Sequence, residues 1–366
     1  MKIAQICFSG LGGHSSVVFS LISADKPKEH KWSIGFIGNE PLSNHNKSQC
    51  HKYSIDYAYF ILKKKSRLTS WFKLFLWLKK SKPKFVICHS ISMIFPCFLY
   101  ALINSAKLVS VEHTPNSQKR LIEWIFSFLS MLLSSKVVIL TPKYLHEIKN
   151  SYKLLFIPSK FILVPNGIDE DLFKKNTGNQ LNFNQSKEII LGMAARFSAQ
   201  KKQDLLIKVL SYLNSHQSKY AFKLSLAGDG TTLKDCSLLA EQLQINSMIS
   251  FKGFLAETEL IDWFHEIDIY LHASDGETLS TSILQAMSCG LPIIGSDIPG
   301  ISNLLHQERS FGITTKNNVQ DFAESIIEII NSPKKMNEIA ENARLKVVSE
   351  YSNIKMLESY ISVLMK

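Results

Sequence analysis

Two Rossmann-like α/β domains with parallel sheets are the fold class this sequence predicts, and three observations carry it. At 366 residues the chain is longer than one hydrophobic core normally serves. Apolar, β-branched-rich runs alternate with segments of helical period along the whole length, the pattern of parallel strands joined by helices. A polar stretch at 177–187, TGNQLNFNQSK, separates two such series and reads as a linker.

Strands of the first series are expected at 3–8, 32–37, 85–88, 108–112, 137–140 and 161–164. The second series gives strands at 189–193, 223–227, 249–251, 269–272 and 292–296. Two such sheets would face each other across a cleft, with ligands at the C-terminal strand ends. The boundaries that follow are a first domain at 1–170, a second at 171–351, and a last helix at 352–366 that crosses back to the first. The most apolar stretch, 121–140, is interrupted by Glu123, Lys136 and several serines, so it reads as a packed helix followed by a strand, not a membrane span. The opening MKIAQICFSG lacks the charged, long apolar and small-residue regions of a signal peptide and reads as a first strand. Cys7, Cys50, Cys88, Cys97, Cys236 and Cys289 form no CxxC pair, which suits reduced thiols in a cytoplasmic protein.

Charge is distributed unevenly. Residues 1–170 have a net charge of +14 and 171–366 of −3, for a total of +11. The excess peaks between Lys63 and Lys84, where nine Lys and Arg residues meet no acid and Trp71, Phe72, Phe75 and Trp77 are interleaved. A surface helix packing its aromatics on the sheet explains this segment, and so does an interfacial helix against anionic lipid. Nucleic acid is disfavoured, because the aromatics lie on an apolar helical run and form no stacking platform.

The most informative stretch is ETLSTSILQAMSCGLP at 277–292. A helix beginning near Ser280 would turn its unpaired N–H groups, with Thr281 and Ser282, towards an anion. Glu277 and Gln285 stand up to about 12 Å apart at helical rise, far enough to serve opposite ends of a diphosphate-linked ligand. Arg196 and Lys201, in AARFSAQKKQ, follow the first strand of the second series and could hold phosphate. Taken alone, they fit a solvated loop equally well. Gly10, Gly12 and Gly13 after the first strand permit close backbone approach to a phosphate or sugar, or simply a tight turn. Their spacing is not a dehydrogenase fingerprint, and no acid ends the second strand. His113, in SVEHTP, ends a strand of the first series, and His89, in FVICHS, ends another. Gly228 in AGDG and Gly253 and Phe254 in KGFL occupy strand ends of the second series. VPNGID at 164–169 reads as a strand end and Asn-Gly turn. Asp169-Glu170-Asp171 matches an acid-x-acid metal motif only formally, and no second metal feature accompanies it, so no metal and no cofactor are expected.

The 277–292 stretch resembles the Glu-seven-residues-Glu signature of family-4 retaining glycosyltransferases of the GT-B fold, with Gln285 in place of the second Glu. The resemblance extends over nearly the whole chain. It implies an acceptor-binding first domain and a nucleotide-sugar-binding second domain. In that scheme Arg196 and Lys201 hold the donor diphosphate, Glu277 the sugar hydroxyls and Gln285 the ribose. His113 lies near the reacting sugar, the Gly12-Gly13 pair against phosphates or acceptor, and the loops of Gly228, Gly253 and Phe254 around the nucleotide. The implied partners are a nucleotide diphosphate sugar, UDP-linked by expectation, a saccharide or lipid-linked acceptor, and an anionic membrane surface. The implied place is the inner face of the cytoplasmic membrane, in surface polysaccharide biosynthesis. Two rivals remain: a degenerate or non-catalytic membrane-associated nucleotide-sugar binder, marked by Gln285, and a nicotinamide-dependent oxidoreductase on the Rossmann halves.

Overall fold

The computed structural model describes residues 1–10, 13–39, 41–62, 67–153, 156–175, 188–217, 219–306 and 310–365. The chain divides into two units, Met1–Asp169 with Asn353–Lys366, and Glu170–Ser352. The polar stretch at 177–187, Gly12, and Lys63 to Lys65 lie outside the described residues.

The first unit runs β1 (Lys2–Phe8), α1 (Gly13–Ala24), β2 (Lys31–Gly38), α2 (Asn44–Lys52), β3 (Asp56–Ile61), α3 (Arg67–Ser81) and β4 (Phe85–Cys88). It continues through α4 (Ile94–Asn104), β5 (Lys107–Glu112), α5 (Leu121–Leu133), β6 (Lys136–Ile139), α6 (Pro142–Ser151) and β7 (Phe161–Leu163). Its seven strands are all parallel, in the order β3-β2-β1-β4-β5-β6-β7. The order reverses between β1 and β4, which opens a crevice at their C-terminal ends. In β1 the five inner residues are buried, as a central strand covered on both faces requires. Ala4 and Ile6 point into one core with Leu74 of α3, Cys97 of α4 and Phe126 of α5.

The second unit comprises β8 (Glu188–Ala194), α7 (Gln203–His216), β9 (Ala221–Ala227), α8 (Leu233–Gln242), β10 (Ile249–Gly253), α9 (Glu257–Glu266) and β11 (Ile269–His272). It closes with α10 (Thr281–Ser288), β12 (Ile293–Ser296), α11 (Pro299–Leu305), β13 (Ile313–Thr315), α12 (Val319–Asn331) and α13 (Pro333–Glu350). Its six strands are parallel in the order β10-β9-β8-β11-β12-β13, and the reversal falls between β8 and β11.

The last helix, α14 (Asn353–Met365), packs on α1 in the first unit. VPNGID anchors it. The Gly167 amide donates to the Met356 sulfur at 3.1 Å, its carbonyl accepts from Ser20 at 2.8 Å, and the Asn353 amide donates to the Ile168 carbonyl at 2.8 Å. Two strands, β3 and β13, lie outside the sequence expectation, and each is a sheet edge. The other two edges, β7 and β10, are among the expected strands, so edge position alone does not hide a strand: ITT is three residues long and mostly polar, and DYAYFI has only one buried residue. Among the described residues no helix is long and apolar enough to cross a membrane.

Candidate functional site

In the second unit the loops after β8 and β11, the two strands at the reversal, are stitched together. The Asp275 amide donates to the Gln200 carbonyl at 2.9 Å, the Gln200 side chain donates to the Gly276 carbonyl, and Lys202 pairs with Asp275 at 2.8 Å. The last link is between two predicted site residues. Lys201 is ion-paired with Oε1 of Glu277.

The same oxygen accepts from Nε2 of His272 at 2.7 Å, and Nδ1 of that ring faces the Tyr270 hydroxyl at 3.1 Å. Burial pushes the Glu277 carboxyl up, but Lys201 and His272 outweigh it and hold its pKa down to about 2. Burial also lowers the pKa of His272, against the pull of Glu277, so its ring is neutral near pH 7. A neutral ring that donates from Nε2 leaves Nδ1 as an acceptor, so the single proton of the Tyr270 hydroxyl has two acceptors within reach, this nitrogen and the Ala194 carbonyl at 3.2 Å. Gly300 lets this loop sit close, since a Cβ there would lie 1.9 Å from the Glu277 carbonyl oxygen. His272 and Tyr270 were absent from the sequence-level site. Their signal was a histidine ending a buried strand five residues before Glu277.

Helix α10 starts directly after this loop. Ser280 is its N-cap residue but makes no side-chain cap, and its hydroxyl bonds to that of Ser282 at 3.1 Å. The amides of the first turn therefore remain suited to an anion. Thr281 and Gln285 are half-buried on this helix, and Gly290 ends it with φ +71°. Arg196 is exposed beyond β8, and its carbonyl accepts from Gln203 at 3.1 Å. Gly228 packs on the same loop. Its φ is +131°, and a Cβ there would lie 2.0 Å from the Ala195 carbonyl oxygen. Its amide donates to the Gly253 carbonyl at 2.7 Å, which joins the two loops expected around the nucleotide, and Phe254 is exposed beside them.

In the first unit, His14, His89 and His113 gather at the C-terminal ends of β1, β4 and β5. Gly13 opens α1 immediately before His14. Nε2 of His89 lies 3.0 Å from the Gln5 side-chain oxygen, and Nδ1 lies 3.0 Å from Nε2 of His113. An amide oxygen only accepts, so His89 donates from Nε2, accepts at Nδ1, and His113 carries its proton on Nε2. Burial lowers the pKa of His89 to about 3 and also lowers that of His113. His89 is thus a positioning residue for His113. The loop from Glu112 to Lys119 that carries His113 is clamped at both ends by a fully buried ion pair of 2.8 Å. Ser127, Ser130 and Tyr144 complete the hydrogen bonding around Glu112. Among the described residues no group of three His, Cys, Asp or Glu side chains is arranged to hold a metal ion.

The sequence profile of the glycosyl transferases group 1 matches residues 174–346, and that of glycosyltransferase family 4 matches residues 12–172. The chain belongs to the family-4 glycosyltransferases. Its fold is GT-B. Over 100% of this chain and 99% of the other it superposes on the Anabaena protein HepE in complex with UDP-glucose, with a TM-score of 0.81 at 18% identity. Alpha-monoglucosyldiacylglycerol synthase of Streptococcus pneumoniae is 26% identical over 51% of this chain and 43% of that protein. The phosphatidylinositol N-acetylglucosaminyltransferase GPI3 subunit of Saccharomyces cerevisiae is 26% identical over 48% of this chain and 38% of that protein. Against these two curated relatives, this family-4 chain therefore aligns with less than half of their length.

Proposed function

We propose that this chain is a retaining hexosyltransferase. It moves a sugar from a UDP-sugar to a hydroxyl of a lipid-linked saccharide in surface polysaccharide biosynthesis, as a peripheral protein on the inner face of the cytoplasmic membrane. One observation carries the reading: Glu277 held ionised between Lys201 and His272, in front of α10 and at the sheet reversal. An anionic carboxylate in that place accepts from sugar hydroxyls and cannot act as a general acid near pH 7. Arg196, Lys201 and the first turn of α10 stabilise the diphosphate as charge develops on it. The departing phosphate oxygen takes the acceptor's proton as its bond to the anomeric carbon breaks. His113, fixed through His89 and Gln5, is the polar contact assigned to the transferred sugar, and Gln285 that assigned to the ribose.

The UDP-glucose named with HepE supports a UDP-sugar donor, and the lipids in the names of both curated relatives support a lipid-linked acceptor. The exposed lysines of α3, Lys73, Lys79 and Lys80, support an anionic membrane surface. A thermal-shift panel of nucleotide diphosphate sugars tests the donor. At 100 times its dissociation constant a ligand stabilises by about 2.7 kcal/mol. A panel in which no such sugar raises the melting temperature would overturn the reading.

A further inference from the structure

Helices α3, α4 and α5 lie side by side, with α4 between the other two, and all three bury one face in the same core. Each carries a second apolar stripe on its outer face. In α3, Leu74 and Leu78 are buried, while Leu68, Phe72 and Leu76, two residues out of phase, are 76%, 61% and 47% exposed. Two residues are about 200° of helical rotation, so the second stripe faces away from the core. Along α4 the outer stripe is Phe95, Leu99, Leu102 and Ile103, and along α5 it includes Leu121, Ile125, Phe128 and Leu132. Twelve of the twenty-three exposed large apolar side chains of the described residues lie on these three helices, a cluster and not the single scattered residues of an ordinary surface.

Charge decides among the occupants. No acidic residue stands between Asp56 and Glu112, so α3 and α4 carry none. The single acid of α5, Glu123, is held at 2.7 Å by the Arg120 amide as a helix cap. Exposed cations flank the apolar stripes: Lys73, Lys79, Lys80 and Lys82 at and after α3, and Arg120 before α5. A second copy would bring equal positive charge against this face. An anionic bilayer offers apolar chains beneath negative headgroups.

We propose that the outer faces of α3, α4 and α5 form one docking surface that inserts its Leu, Ile and Phe side chains among the acyl chains of an anionic membrane. The proposal deepens the membrane contact read above: it names the surface and makes insertion, not charge alone, the source of retention. The test is co-sedimentation of the full chain with vesicles of anionic and neutral phospholipid, at low salt and at about 1 M salt, where the Debye length is about 3 Å. The wild type should stay partly bound to anionic vesicles at high salt. L102S/I103S/L121S/I125S, which changes exposed side chains only, should lower the high-salt partition on the order of tenfold or more. Its unchanged melting temperature and donor-induced thermal shift would certify the fold. Wild type that fails to bind anionic vesicles even at low salt would sink the membrane contact itself. Wild type fully released by salt, or a variant that partitions as wild type does, would overturn insertion alone. A concentration-dependent dimer abolished by the same variant, without vesicle binding, would assign the face to a second copy.

Discussion

Lys201 is ion-paired with Glu277, so the cation assigned to the donor phosphates already has a carboxylate partner. The pair joins the loops that follow two adjacent parallel strands. A diphosphate arriving before α10 would share Lys201 with Glu277 and not displace it, since His272 also holds Oε1 of the carboxylate. With the roles proposed for these two residues, one lysine would couple the phosphate end of the donor to the sugar end.

From this coupling, Lys201→Ala should cut turnover on the order of a hundredfold or more, and Arg196→Ala likewise, because each removes a donor to developing charge. Lys201→Ala combined with Glu277→Gln should cost less than the sum of the two single changes in free energy. EDTA should leave wild-type turnover unchanged. Steady-state kinetics with a nucleotide diphosphate sugar decide it. Full activity in the single lysine and arginine variants, or loss of activity with the chelator, would falsify the assignment.

Acid should weaken the protein in two steps of known sign. His89 is 2% exposed and its folded pKa is lowered to about 3 by burial, with His14 adding to the shift. The unfolded chain takes up that proton first, so stability present above about pH 6.5 declines as pH falls, by ~1.4 kcal/mol per pH unit for one histidine. The depressed carboxyl of Glu277 contributes stability that is complete above about pH 4.5 and lost as pH falls towards 2. Denaturant titrations at pH 7.5 and 5.5 should show a smaller difference for His89→Gln than for wild type. Parallel curves would remove the buried neutral histidine from the account.

Glu112 and Lys119 are each wholly buried, and removing one partner leaves the other charge uncompensated. Lys119→Met should cost about 3–5 kcal/mol of stability, whereas the double change Glu112→Gln, Lys119→Met should recover much of it. Urea denaturation measures both. A single variant as stable as wild type would mean that the clamp on the His113 loop carries little energy.

The inner strands of both sheets were legible because a central parallel strand is buried on both faces and shows as an unbroken apolar run, as in IILGM of β8. β3, with one buried residue, and β13, three residues long and mostly polar, were not. At the site, Glu277 and Lys201 were legible through spacing, but their pairing was not, because a separation of 76 positions says nothing of which strands are neighbours. His272 is read from sequence only as the end of a strand, and His89 only as a weaker parallel to His113, since a strand-terminal histidine has no periodicity to mark its partners. Nothing in the sequence marks Glu112 and Lys119 as a buried pair. Only the surrounding hydroxyls of Ser127, Ser130 and Tyr144 make their burial tolerable, and those come from α5 and α6.

The basic residues at the end of α3 give an electrostatic prediction that is independent of insertion. Replacing Lys79, Lys80, Lys82 and Lys84 by Gln should reduce low-salt binding to anionic vesicles as added salt does, each basic residue near the surface contributing about 1 kcal/mol. Vesicle co-sedimentation checks it. Equal binding of wild type to neutral and anionic vesicles would remove the electrostatic claim.

Gln285 is where the chain departs from the signature its neighbouring residues share. A carboxylate there would accept from both ribose hydroxyls, whereas an amide offers one acceptor oxygen and two N–H donors without charge. Charge-assisted hydrogen bonds are worth about 1.5–3 kcal/mol, against roughly 1 kcal/mol for neutral ones. Gln285 is half-buried on α10, with Ala286 and Met287 beside it in the core, so its side chain can change without repacking the sheet. Gln285→Glu should keep the fold and bind donor more tightly, with the change in KM and little in kcat. Gln285→Leu should weaken donor binding, because ribose hydroxyls would lose their partner as the site sheds water. Titration of both variants with UDP and with a UDP-sugar decides the matter. A leucine variant that binds as wild type does would show that residue 285 only packs, and would favour a degenerate, non-catalytic binder over an active transferase.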